Sequence, residues 1–73
     1  MPETAHSCFY KACDYFDFTP VSVKVNADTF LPDPADMEAA ITSNTVLMVC
    51  SAPSYAHGVI DPVAEIAAIA QKH

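Results

Sequence analysis

One glycine and six prolines set the terms on which this chain can fold. Gly58 is the single residue without a side-chain penalty in the left-handed region, and the prolines at 2, 20, 32, 34, 53 and 62 break the chain into short pieces. Between Ser7 and Phe16, the apolar residues Phe9, Ala12, Cys13 and Phe16 recur at i, i+3, i+4 and i+7, which predicts a helix with one buried face. Thr4 or Ser7 can cap it. After Pro20, Val21, Val23 and Val25 alternate with Ser22 and Lys24, the period-two pattern of a strand. Asp33-Pro34 reads as a helix start, a capping carboxylate followed by a residue with no amide to leave unpaired, and Asp36 supports the helix dipole. Met37, Ala40 and Ile41 then face inward until Ser43-Asn44 closes the helix. Val46 to Cys50 is apolar without alternation, as in a strand covered on both faces. Asp61-Pro62 repeats the start signal, with Asp61 as cap, and Val63, Ile66, Ala67, Ile69 and Ala70 form the buried stripe of a third helix running to about Lys72.

The predicted order is helix, strand, helix, strand, helix: an α/β arrangement in which two parallel strands are joined by a right-handed crossover. Two strands are too few for a sheet domain, and a helix ending at His73 is expected to lead into a third. A chain of 73 residues also buries only about 60% of the surface that its unfolded state exposes. Residues 1–73 are therefore expected to be a single partial domain, a segment of a larger α/β sheet.

Charge narrows the function. Three Lys+Arg stand against nine Asp+Glu, for a net charge of −6, and the lysines at 11, 24 and 72 are scattered with no arginine beside them. Phosphate backbones and anionic membranes need clustered basic residues, so nucleic acid is not an expected partner. The longest apolar run, Val46 to Cys50, is far short of the roughly 20 residues of a membrane span. Met1-Pro2-Glu3-Thr4 lacks the features of a signal peptide, and a cytoplasmic location is the expectation. Cys8, Cys13 and Cys50, odd in number and without a C-x-x-C, read as reduced, buried thiols; no metal site has a recognised spacing.

In a parallel sheet, ligands bind beyond the carboxyl ends of the strands, which points at the segment from Ser51 to Asp61. It is longer than the usual strand-to-helix turn of about 2–6 residues. It carries hydroxyls at Ser51, Ser54 and Tyr55, an imidazole at His57, and a glycine that permits a turn or close backbone approach. Residue types alone leave a binding loop and a plain surface loop both open. They leave His6 open too, as polar surface or as a ring stacked on a planar ligand. A Ser-His nucleophile pair lacks the G-x-S-x-G setting, and no catalytic residue is assigned. Phe9, Tyr10, Tyr15, Phe16 and Phe18 read as core or domain interface.

Two strings carry a resemblance. Glu3-Thr4-Ala5-His6-Ser7-Cys8-Phe9-Tyr10-Lys11-Ala12 resembles the E-T-A-H-x-x-F-x-K-A stretch of sphingosine-1-phosphate lyases. Val49 to Pro62 resembles their V-C-S-x-P-x-x-x-H-G-V-I-D-P loop, and the intervening segment also fits. The broader relatives are group II pyridoxal-phosphate decarboxylases. The resemblance implies a segment of the large domain of a fold-type I enzyme, usually a homodimer, that uses pyridoxal 5'-phosphate to cleave a phosphorylated sphingoid base into a fatty aldehyde and phosphoethanolamine. It implies that His6 stacks on the cofactor ring, with Ser51 also on the cofactor side, and that Tyr55 and His57 face the substrate. The lysine that forms the Schiff base belongs to a family motif that none of Lys11, Lys24 and Lys72 matches, so the rest of the parent enzyme is the implied partner and the isolated chain is expected to be inactive. The alternatives are a non-catalytic acidic α/β interaction module and a segment of a pyridoxal-phosphate-dependent amino-acid decarboxylase.

Overall fold

A computed structural model describes residues 1–73. Its regular elements are three helices: α1 (Ser7–Phe16), α2 (Pro34–Ala39) and α3 (Val63–Lys72). All three lie where the periodicity puts them, and their ends show why. α2 starts as read, with Asp33 Oδ1 accepting from the Ala35 N–H at 2.9 Å, Pro34 in the first turn and Asp36 behind it. It stops at Ala39, earlier than Ser43-Asn44, because Thr42 and Thr45 divert the chain. The Thr42 N–H donates to Thr45 Oγ1 at 2.9 Å and the Thr45 N–H to the Thr42 carbonyl at 3.1 Å. α1 ends on Asp17, which takes the left-handed conformation at φ 59°.

Two caps differ from expectation. α1 is capped by neither Thr4 nor Ser7: His6 Nδ1 accepts from the Cys8 N–H at 3.0 Å. α3 begins at Val63 with Pro62 as its N-cap and no side-chain cap, and Asp61 turns back toward Ser51 instead.

The expected parallel pair of strands is not formed. Val21–Val25 gives its hydrogen bonds to the N-terminal residues: the Met1 amine donates to the Val21 carbonyl at 3.0 Å, the Val23 N–H to the Met1 carbonyl at 2.9 Å and the Glu3 N–H to the Val23 carbonyl at 2.7 Å. The result is an isolated parallel bridge between Pro2 and Val23, with an antiparallel one between Val25 and Pro32. No ladder joins this run to Val46–Cys50, whose backbone makes no hydrogen bond at all. Between the two runs lies an apolar groove of about 810 Å³, lined by Phe9 and Phe16 of α1, by Val21 and Val23, by Met37 of α2 and by Val46.

The core is small. Val23, Met37 and Ile66 form it, with Ala40, Met48 and Cys50 packed against it. α2 and α3 lie against each other, whereas α1 packs on neither. At the far end of the pair Glu38 takes Lys72 Nζ at 2.8 Å and His73 Nε2 at 3.2 Å, and the bond to Lys72 holds its carboxyl below the usual carboxylate range. The expected helix faces are more open than the patterns imply. No residue of α1 is buried, Phe16 is 70% exposed, and in α3 only Ile66 is buried, with Val63, Ala67 and Ala70 exposed. Tyr15, Phe16 and Phe18 are exposed surface and not core, Cys8 is exposed, and Cys13 and Cys50 are half-buried free thiols.

Candidate functional site

The long loop is closed at its mouth and open at its tip. At the mouth the Asp61 N–H donates to the Ser51 carbonyl at 3.0 Å and the Ser51 N–H donates to Asp61 Oδ2 at 2.8 Å. Asp61 is thus a loop clasp, buried to 3% exposure, and not the cap of α3. Within the loop the Ser54 N–H reaches the Val59 carbonyl at 2.7 Å and the Gly58 N–H reaches the Ser54 carbonyl at 2.8 Å. Gly58 sits at φ +68°, the positive value that the reading of a glycine turn requires.

These bonds push the tip outward. Tyr55 is 66% exposed, His57 is exposed, and neither side chain makes a hydrogen bond. Each instead meets an aromatic ring from elsewhere in the chain. The Tyr55 ring stands edge-on to His6 with centroids 4.8 Å apart and planes at 62°. His57 lies against Phe30 with centroids 4.1 Å apart and planes at 14°, a parallel stack.

His6 is held from its other side. Because Nδ1 accepts from the Cys8 N–H, the imidazole in this geometry carries its proton on Nε2 and serves as an acceptor at the N-terminus of α1. The ring is exposed, so a face remains open to a planar group. Sequence position thus becomes chemistry: the cap sets the plane of the ring, and Tyr55 sets its edge.

Three buried polar atoms around this cluster have no partner: Thr4 Oγ1, Ser54 Oγ and Asp61 Oδ1. Thr4 stands two residues before His6, and Ser54, 1% exposed, directly before Tyr55. Cys50, next to the loop mouth, has its thiol pushed up by burial and further by the charge of Asp61.

Of the four residues the sequence proposes, His6 and Tyr55 are brought into contact, His57 is on the same tip and engaged with Phe30, and Ser51 contributes its backbone at the mouth. Phe30 carries no sequence signal. Nothing in the pattern tells that its ring reaches His57. Of the lysines, Lys11 lies over the Tyr15 ring, 5.4 Å from its centroid, and Lys72 pairs with Glu38. No group of three or more His, Cys, Asp or Glu side chains is placed to hold a metal, and no helix is long and apolar enough to cross a membrane.

Known proteins are similar to this chain along nearly its whole length. The chain is 46% identical over 74 residues to sphingosine-1-phosphate lyase 1 of Rattus norvegicus, covering 99% of this chain and 12% of that protein. It is 40% identical over 73 residues to the sphingosine-1-phosphate lyase of Dictyostelium discoideum, covering 100% of this chain and 14% of that one. Among solved structures, the sphingosine-1-phosphate lyase of Burkholderia pseudomallei superposes with a TM-score of 0.94 at 35% identity, over 97% of this chain and 16% of that one. The 73 residues therefore span about one eighth of the length of the relatives, and the two resembling strings extend into similarity along the whole segment. The segment has the fold of the corresponding part of a sphingosine-1-phosphate lyase. The profile of the DegT/DnrJ/EryC1/StrS aminotransferases matches residues 1–73, and the chain belongs to that family.

Proposed function

We propose that this chain is the part of a pyridoxal-phosphate-dependent carbon–carbon lyase that presents one wall of the cofactor and substrate pocket, in an enzyme that cleaves a phosphorylated sphingoid base into a fatty aldehyde and phosphoethanolamine. The observation that carries the reading is the His6–Tyr55 pair, an exposed imidazole pinned by the start of α1 and an exposed phenol held 4.8 Å from it, in a chain similar to lyases of that name.

The residues present fit pyridoxal phosphate. A flat aromatic cofactor needs a ring with an accessible face, which His6 offers, and polar substituents need hydroxyls, which are available unpaired at Thr4 and Ser54. When bound, the cofactor supplies an electron sink for the broken bond. The chain's own contribution is placement. His6 orients the plane of the cofactor, Ser51 lines its side of the loop, and Tyr55 and His57 face the substrate from the tip. None of Lys11, Lys24 and Lys72 stands in the family's lysine motif, so the resemblance places the covalent lysine in the remainder of the complete subunit, which we read as one half of a homodimer.

A second reading is an aminotransferase, which the family description favours. Product analysis separates the two. The complete subunit, loaded with pyridoxal phosphate and given a phosphorylated sphingoid base, is expected to release aldehyde and phosphoethanolamine in equal amounts. Transfer of the amino group to a 2-oxo acid with the carbon chain intact would instead establish transamination, and release of carbon dioxide from an amino acid would establish a decarboxylase.

A further inference from the structure

Phe30 is a bulky residue in a conformation that bulky residues avoid. Its φ of +59° lies in the left-handed region, where glycine and asparagine are the usual occupants. Such a conformation persists only where the surroundings over-determine it, and here they do. The Phe30 N–H donates to the Asn26 carbonyl at 2.8 Å, the Asn26 N–H to the Leu31 carbonyl at 2.9 Å, and the Leu31 N–H to Thr29 Oγ1 at 3.3 Å. Asn26 Oδ1 accepts from Asp28 and Thr29 at 2.8 and 3.1 Å, and the Val25–Pro32 bridge closes the turn behind them.

Core burial does not account for this. Phe30 is 37% exposed and stands outside the cluster of Val23, Met37 and Ile66. What the strained turn achieves is to lay the ring flat on His57, 27 positions away in the chain, at 4.1 Å and 14°. The His57 side chain has no hydrogen bond to orient it: the Gly58–Ser54 and Ser54–Val59 bonds tie the backbone of the tip and leave the imidazole free. The stack therefore supplies the side-chain restraint that those backbone bonds do not.

We propose that Phe30 is a positioning residue: the Asn26–Leu31 turn presents its ring so that His57, and with it the tip from Tyr55 to Gly58, is held toward the pocket. Its kinetic consequence rests on the lyase reading; its structural consequence does not. The test uses the complete subunit with four variants, Phe30→Leu, Phe30→Tyr, His57→Ala and the double Phe30→Leu/His57→Ala. Two readouts are followed, kcat and KM for cleavage of the phosphorylated base, and amide exchange at Gly58, whose N–H donates to Ser54. Phe30→Leu keeps apolar bulk but removes the ring, and is expected to raise KM about two- to tenfold, the range of a lost aromatic pair, with kcat changing less, while Gly58 exchanges faster. Phe30→Tyr restores both. If Phe30 acts through His57, the double variant loses no more than His57→Ala alone. Additive losses, a Phe30→Leu protein indistinguishable from wild type, or a Phe30→Tyr protein as impaired as Phe30→Leu would each overturn the proposal. Absence of lyase activity in the wild-type subunit would defeat the functional reading, and the exchange cycle would then decide the positioning role by itself.

Discussion

Asp61 and Ser51 are bonded to each other twice, N–H to carbonyl in one direction and N–H to carboxylate in the other, across a loop of nine intervening residues. The pair fixes the base of the loop while leaving its rings free to meet partners. It also puts a carboxylate beside a half-buried thiol.

The first expected outcome follows from that carboxylate. Asp61→Ala leaves the Ser51 N–H without its acceptor, at a cost of about 1–3 kcal/mol in stability, read by urea denaturation of the complete subunit. Asp61→Asn keeps an acceptor oxygen and should lose much less. It also removes the charge that adds to burial in raising the Cys50 thiol, so the pH profile of Cys50 alkylation should move to lower pH, though not to the ordinary 9.0, because burial remains. The sign for stability is fixed. A thiol raised in the folded state contributes stability that is complete below its unfolded value and is lost as pH rises through the folded one. An unchanged alkylation profile in Asp61→Asn would show that the charge does not reach the thiol.

His6 has two roles that substitutions separate. His6→Ala removes cap and ring together. His6→Asn keeps a capping side chain and should hold thermal stability near wild type while cofactor affinity falls, since capping is worth about 0.5–2 kcal/mol. His6→Phe should do the reverse, recovering much of the roughly 0.5–1.5 kcal/mol of ring contact without the cap. Equal cofactor affinity in all four proteins would return His6 to a purely structural role.

Tyr55→Phe preserves the edge-on contact with His6 and deletes only the hydroxyl, which has no partner in this structure. Cofactor binding, followed by absorbance titration, should stay within about twofold, while KM for the phosphorylated base should rise by the worth of one hydrogen bond, roughly three- to tenfold. A rise in the cofactor dissociation constant with KM unchanged would reverse the assignment.

For the 73-residue chain by itself, association through Val46–Cys50 is expected. Val46 and Leu47 are 73% and 69% exposed, and the backbone there has no hydrogen-bond partner, which makes it a template for another strand. Leu47→Lys should raise the concentration at which light scattering begins several-fold. A monomer with a cooperative, concentration-independent melt would contradict this.

The elements legible in the sequence were those whose information is local. The i, i+3, i+4, i+7 spacing of Phe9 to Phe16 and the Asp33-Pro34 start place α1 and α2, and the turn at Gly58 uses the conformational freedom of a glycine, at φ +68°. Burial was not local. Phe16 and Ala67 lie on well-formed apolar stripes yet face out, because a stripe says which face wants covering and not whether anything in these residues covers it. Pairing was not local either. Val21–Val25 and Val46–Cys50 both have strand composition, and the hydrogen bonds of the first went to Met1–Glu3. Asp61 shows how a motif misleads: Asp-Pro marks a helix start, but a carboxylate that can reach back to Ser51 has a competing use. At the site, motif resemblance found His6, Ser51, Tyr55 and His57, whereas Phe30 depends on a strained turn that no spacing announces.

α1 packs on neither α2 nor α3, and the apolar groove lies between α1 and α2. His6 belongs to the α1 side and Tyr55 to the loop that leads into α3, so their contact joins the start of a helix that packs on no other helix to the segment that enters the packed pair. The width of the site is therefore not an independent quantity: it follows whatever sets the angle between α1 and the α2–α3 pair. A change that fills or empties the groove at Phe9 or Met37, with no residue in the site itself, would be felt first as a change in the separation of His6 and Tyr55.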